Sequence, residues 1–414
     1  MRSFMGFLFL IGATSALAQS TTGPTFAEAS MVEAQKAISS QPALAAGYEQ
    51  LATALLRRAR ETSDASYIRQ ADEAAERALQ LAPDDFESQR TEVFVRLAQH
   101  EFPAALEHAK ALNKRLPDDV LTYGLLTVGN AELGNYAEAE NAAQWMLNLR
   151  PGNLPALINT AYLRELFGDP NGAYQLLEVA SQSTAPTETE ERAWIMTRMA
   201  HMRLISGNAD SADRLLQSAL DDFPGYRAAL AGLAEVRLAQ KRYDEAIALL
   251  QQGQPIPARA ASLYLLAEAF GLAGHRTEAV RAYQEFEARA KAESASKDNA
   301  NRELVLYYVD YLKQPSQALA LARQELGWRH DVYTLDCYAW ALHANGQDLE
   351  ARQQIESALA VGIRDARLFR HAGEIALRSG DFAAAQRYLQ QAIDSNTPDS
   401  EQAKATLASL KERR

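Results

Sequence analysis

Ten alanines recur along this chain at an almost fixed interval: Ala71, Ala105, Ala139, Ala173, Ala212, Ala246, Ala279, Ala318, Ala351 and Ala385. Their successive separations are 34, 34, 34, 39, 34, 33, 39, 33 and 34. Pro83, Pro117 and Pro151 keep the same 34-residue beat, as do Gly134 to Gly168 and Gly346 to Gly380. A period of this kind means an array of small stacked units and excludes a set of independent globular domains.

Each unit holds two apolar stripes of helical period separated by a Gly-Asn, Gly-Asp or similar turn. Neither helix can bury its stripe alone, so each pair must stack on the next. The recurrent alanine lets two antiparallel helices approach closely. A leucine there would overpack the pair, at about 1–3 kcal/mol. The proline ends the second helix and opens the link to the next unit.

These residues resemble the tetratricopeptide repeat (TPR), a 34-residue helix–turn–helix unit. The unit from Val120 to Asn153 carries Tyr123, Leu126, Gly134, Tyr136, Ala139 and Pro151 at the family's signpost places. The unit from Ala366 supplies Phe369, Gly373, Gly380, Phe382, Ala385 and Ala392. The resemblance implies an all-α, right-handed superhelical solenoid of about ten units with a C-terminal capping helix. It divides the chain into a leading segment (19–42), blocks of repeats at 43–182, 183–292 and 293–397, and a cap at 398–414. Both 39-residue spacings fall between blocks, at "SQSTAPTETEER" (181–192) and "KAESASKDNAN" (291–301). These polar stretches read as surface loops or longer helix ends, and as candidate hinges.

The first eighteen residues differ from the rest. Arg2 gives a positive start, Phe4 to Ala13 a short apolar core, and Ala16-Leu17-Ala18 a cleavage signature. The expectation is a signal peptide cut after Ala18, hence a periplasmic or secreted protein with no membrane span in its mature part.

Little supports catalysis. No phosphate-cradling glycine loop, dinucleotide fingerprint or H-E-x-x-H occurs, and the seven histidines lack metal-ligand spacing. Cys337 and His343 sit six residues apart on one helix and would not meet. The lone cysteine rules out an intramolecular disulfide, and a net charge of -11 argues against a grip on nucleic-acid phosphates. The expectation is therefore no enzyme, no cofactor and no metal.

What remains is surface. The resemblance implies that the first helix of each unit lines a concave groove. Carried over, the groove places hold Tyr162 and Glu165, Trp194 and His201, then Glu235. Further on they hold Tyr264, Glu268, Glu303, Tyr307, Asp310, Tyr333, Asp336, Trp340, His343 and Arg370. The stretch from Tyr264 to His343 is both aromatic and acidic, so the candidate site is placed there. Such a face suits a protein or peptide partner, basic or amphipathic, or sugar rings stacked on the aromatics. The first use is an exported interaction scaffold holding an extended protein segment. The alternative is an accessory factor of envelope or polysaccharide assembly that contacts glycan. Arg96, Arg164, Arg203 and Arg237 form a row at one repeat position, either packing their stems at helix seams or making an anion ladder.

Export gives a mass to measure: the protein recovered from an envelope fraction should begin at Gln19. An intact mass that still includes residues 1–18 would contradict the cleavage.

Overall fold

A computed structural model describes residues 23–253, 259–395 and 397–412. The expected signal peptide lies outside the described residues. Helix α1 (Phe26–Ser40) leads the chain. Antiparallel pairs follow, beginning with α2 (Ala45–Thr62) and α3 (Ser66–Leu81), α4 (Phe86–Ala98) and α5 (Phe102–Arg115), and α6 (Val120–Glu132) and α7 (Tyr136–Leu149). Next come α8 (Leu154–Leu166) and α9 (Pro170–Ser183), α10 (Thr189–Ile205) and α11 (Ala209–Asp222), and α12 (Arg227–Ala239) and α13 (Tyr243–Gln252). Then α14 (Ala260–Ala273) pairs with α15 (Arg276–Glu293), and α16 (Asn301–Leu306), prolonged by a π-helical turn at Tyr307–Tyr311, with α17 (Pro315–Leu326). The last pairs are α18 (Val332–Ala344) with α19 (Asp348–Ala360) and α20 (Ala366–Arg378) with α21 (Phe382–Asp394), before the cap α22 (Pro398–Glu412). That makes ten helix pairs among the described residues, wound as a right-handed solenoid.

The periodic residues do what their chemistry requires. Nine of the ten spaced alanines have no exposed surface, and Ala279 has 6%. After each of three links the proline stops one helix and the second residue beyond it caps the next. Asp85, Asp119 and Asn153 each accept a backbone N–H three residues on, at 2.9 Å. Helix α22 lays Ala403, Leu407 and Leu410 on Leu389 and Ala392 of α21, covering the apolar face of that helix.

Successive turns of the superhelix touch, which the sequence reading lacked. The inter-helix turn of repeat 2 meets the link before repeat 8, where the His100 imidazole lies 3.3 Å from the Lys297 carbonyl. Repeat 3 meets the link before repeat 9: the His330 N–H donates to Glu132 O at 3.1 Å, and the Val332 N–H donates to Tyr136 Oη at 3.0 Å. Repeat 4 meets the link before repeat 10, with Gly168 against Gly362. The offset is six repeats every time. A cap contact closes the far end, Lys241 Nζ to Glu401 at 3.0 Å.

Both longer spacings also make cross-coil contacts, the second at the repeat 2 contact and the first four repeats back on repeat 1. Glu188, Glu190 and Glu191 of the first insertion face Arg57 and Arg60 of α2, with Arg60 Nε 2.7 Å from Glu190. Asp298 of the second lies 3.0 Å from Arg259 and 3.8 Å from His100. Polarity there reflects a charged seam and not solvent alone.

Each inter-helix turn needs a left-handed residue, and most use glycine. At Gly168 and Gly134 there is a second demand. A Cβ on Gly168 would fall 2.2 Å from Gly362 O, and one on Gly134 2.9 Å from His330 O, whereas at Gly346 and Gly380 it would meet nothing within 4 Å. All four share the left-handed cost of about 1–2 kcal/mol for a side chain. Gly168→Ala and Gly134→Ala should therefore lower Tm clearly more than Gly346→Ala and Gly380→Ala. Equal losses at all four would mean the turns do not touch. Ala246→Leu and Ala351→Leu should each also lower Tm, since both alanines are fully enclosed.

Candidate functional site

The inner face is built by the first helix of each repeat. The concave places inferred in the middle of the chain converge there. Tyr162 and Glu165 of α8, Trp194 and His201 of α10, and Glu235 of α12 line one cavity of about 180 Å³. Tyr333 of α18 and Ala59, Arg60 and Ser63 at the end of α2 reach it from across the superhelix. A smaller cavity of about 100 Å³ lies between α12, α14 and the second insertion, with His100, Arg259, Asp298 and Glu303 in its wall.

The charged groups of the larger cavity are engaged in pairs. Glu165 bonds Arg198 and lies 3.2 Å from His201 Nε2. Arg60 is held by Glu190, whose Oε1 also accepts from Tyr226 Oη at 3.1 Å. Tyr162 Oη donates to Glu132 at 3.0 Å. Burial dominates the titration of this seam. It raises Glu191 to about 7 against the pull of Arg60 and Arg57, and raises Glu132 to about 7 with help from Asp331. Burial also lowers His100 to about 4, Asp298 opposing and Arg329, Arg259 and Arg302 adding to the fall.

The ten residues assigned to the groove from Tyr264 to Arg370 are mostly enclosed. Tyr264, Tyr307, Asp336, Trp340, His343 and Arg370 are buried, Glu268, Glu303 and Tyr333 are half-buried, and Asp310 is exposed. Trp340 Nε1 donates to Asp310 at 3.0 Å, and its ring stacks on His371 with centroids 4.1 Å apart. Arg370 lies over the same indole, and its Nη2 donates to His371 Nε2, which leaves the Nδ1 hydrogen for Asp336 at 2.8 Å. Arg367 reaches Glu268 at 3.3 Å, three repeats back. The tight winding brings inner faces of successive repeats together, so these side chains face one another more than solvent. The sequence also missed Tyr283 and Tyr311. They stack beside Tyr307 where the π-turn swings Tyr311 outward, 44% exposed. A five-residue π-turn leaves no periodic mark, so only the tyrosine density hinted at it.

The arginine row is not an anion ladder. Arg96 pairs with Glu92 and Glu101, Arg164 with Asp169, and Arg237 with Asp213, while Arg203 lies 3.5 Å over the Tyr174 ring. Each head is held within or next to its own repeat. Cys337 and His343 do not meet either: the buried thiol points to Arg302 O at 3.9 Å and His343 bonds Asp348 at 2.8 Å. Burial pushes the Cys337 thiol well up, which makes it a poor nucleophile. Among the described residues no group of three or more potential ligands could hold a metal ion, and no helix is long and apolar enough to cross a membrane.

The family model described as tetratricopeptide repeat matches residues 203–269, from the end of α10 into α14. The helix pairs on either side share its build and spacing. The chain is a tetratricopeptide-repeat protein. No curated protein sequence matches it. Among solved structures, the human IFIT1 dimer with m7Gppp-AAAA is 12% identical, covering 88% of this chain and 84% of that one at a TM-score of 0.50. Yeast Tom70 is 12% identical over 92% of each chain at a TM-score of 0.42. A chain of the APC/C hetero-tetramer Cut9-Hcn1 is 14% identical at a TM-score of 0.48. This tetratricopeptide-repeat chain spans 59% of that one's length, with 83% of its own covered. At these identities the likeness concerns the fold alone.

Glu132 gives a pH test of the seam. Its carboxyl ionises at about 7 when folded and at 4.5 when free. Between those values the folded state keeps a proton the unfolded chain has released, so stability falls as pH rises through that window. Glu132→Gln, neutral at every pH, should match wild type near pH 5 and melt higher by roughly a few degrees above pH 8. A gain at pH 5 as large as at pH 8 would show that Glu132 is not buried at the seam.

Proposed function

We propose that this repeat array is a non-enzymatic, exported scaffold that holds an extended segment of a protein partner against its inner face. A tetratricopeptide array is a protein-interaction scaffold. The observation that carries the finer reading is convergence: Tyr162, Trp194, His201 and Glu235, from three consecutive repeats, line one cavity. Aromatic walls with polar groups at fixed places are how an interface concentrates its energy in a few anchors. A net charge of -11 favours a protein partner over nucleic acid, and the stretch from Arg2 to Ala18 supports export. Contact with glycan is the second reading, favoured by the exposed Tyr311 ring beside Tyr283 and Asp310, which offers a sugar a stacking plane.

A photo-crosslinking residue at Thr197, in the cavity wall, should yield protein adducts in an envelope extract. The same residue at Leu349, 77% exposed away from the cavity, should yield few. Adducts at Leu349 alone would move the site off the inner face. Protease-resistant, glycan-bearing adducts from a probe at Tyr311 would favour the second reading.

A further inference from the structure

We propose that the cavity between repeats 4, 5 and 6 is an anchor socket for one neutral aromatic side chain of the partner. This inference rests on the inner-face reading above and adds the chemistry of what enters.

Size is the first argument. The cavity measures about 180 Å³. A dry apolar cavity of about 150 Å³ is already large enough to admit benzene. The walls come next. The Trp194 and Tyr162 rings stand with Leu204, Leu216 and Val236, so a planar ring entering here meets apolar surface and aromatic edges.

Charge decides the rest. Arg60 is held by Glu190 at 2.7 Å, and Glu165 by Arg198 and His201. Two of the cavity's three phenol groups are likewise spent, Tyr162 on Glu132 and Tyr226 on Glu190. Polar heads turn to partners within the chain, while their rings and stems form the wall. A charged guest would have to break one of these pairs to gain a counter-ion of its own, and a buried charge without one is costly. A neutral ring breaks none.

Three probes of equal size separate the cases: benzyl alcohol, benzylamine and benzoate, with N-acetyl-phenylalaninamide as the peptide-borne ring. Binding to the purified protein is read by tryptophan emission, and Trp194→Phe should abolish the signal from this site while the wall keeps a ring. The neutral probes should bind, with benzylamine and benzoate weaker by about tenfold or more. Thr197→Phe and Ala228→Phe fill the socket from two half-buried wall positions and should each remove binding, with melting measured alongside. Two variants guard against one that misfolds.

Benzylamine or benzoate binding as tightly as benzyl alcohol would overturn the neutral socket. Benzyl alcohol binding without N-acetyl-phenylalaninamide would mean a free small molecule and not a side chain enters. Binding that survives both filling variants would place the ring elsewhere. Protein adducts at Thr197 together with no binding of any probe would sink the socket and leave the inner-face reading standing.

Discussion

Gly168 and Gly362 approach so closely that no side chain fits between them. They belong to repeats six apart, and their contact marks the constraint on which the rest depends: the superhelix closes on itself. Stacking of neighbouring repeats would build a solenoid with any pitch the packing allowed. Contacts from repeats 2, 3 and 4 to the links before repeats 8, 9 and 10 fix one pitch. Two of these contacts join backbone to backbone, which a change of side chain elsewhere cannot retune. Adjacent turns then share a seam, and the inner face faces itself.

Closure explains the chemistry of the interior. Carboxylates such as Glu132 and Glu191 are buried because a second turn covers them, and burial raises both to about 7. Charge buried in this way stays folded only when paired, hence the Arg57 and Arg60 clasp on the first insertion and the Arg370 network around Trp340. The space left between paired charges and aromatic rings is the cavity at repeats 4 to 6. At two of the four turns where a larger residue replaces glycine, the side chain bonds another part of the coil. His100 stacks on Phe102 beside Lys297, and Lys241 reaches Glu401, each with a positive φ.

The sequence was legible where physics is local and repeated. Alanine spacing, link prolines and turn glycines gave the helix pairs and their number, because close helix packing demands a small residue at the same place each time. One repeat register also picked out Tyr162, Glu165, Trp194, His201 and Glu235, which line a single cavity. The weight given to Tyr264 through His343 was less well placed, since composition reports aromatic and acidic residues without saying whether another repeat covers them. Trp340 looked like an anchor and is instead stacked on His371, with Arg370 beside that imidazole. Seam contacts were invisible because they join single links many repeats apart. The signals that could have raised them were the non-glycine turns at Ser63, His100 and Lys241 and the charges within the two longer spacings.

Amide hydrogen exchange on the intact protein tests closure without altering a residue. The His330 and Val332 N–H groups lie at a link and a helix start, where neither has an acceptor in its own helix, yet Glu132 O and Tyr136 Oη receive them from another turn. Both should exchange as slowly as amides inside α6 and α18. Exchange at the rate of an open surface loop would mean that the turns stand apart and that the closed interior described here does not exist.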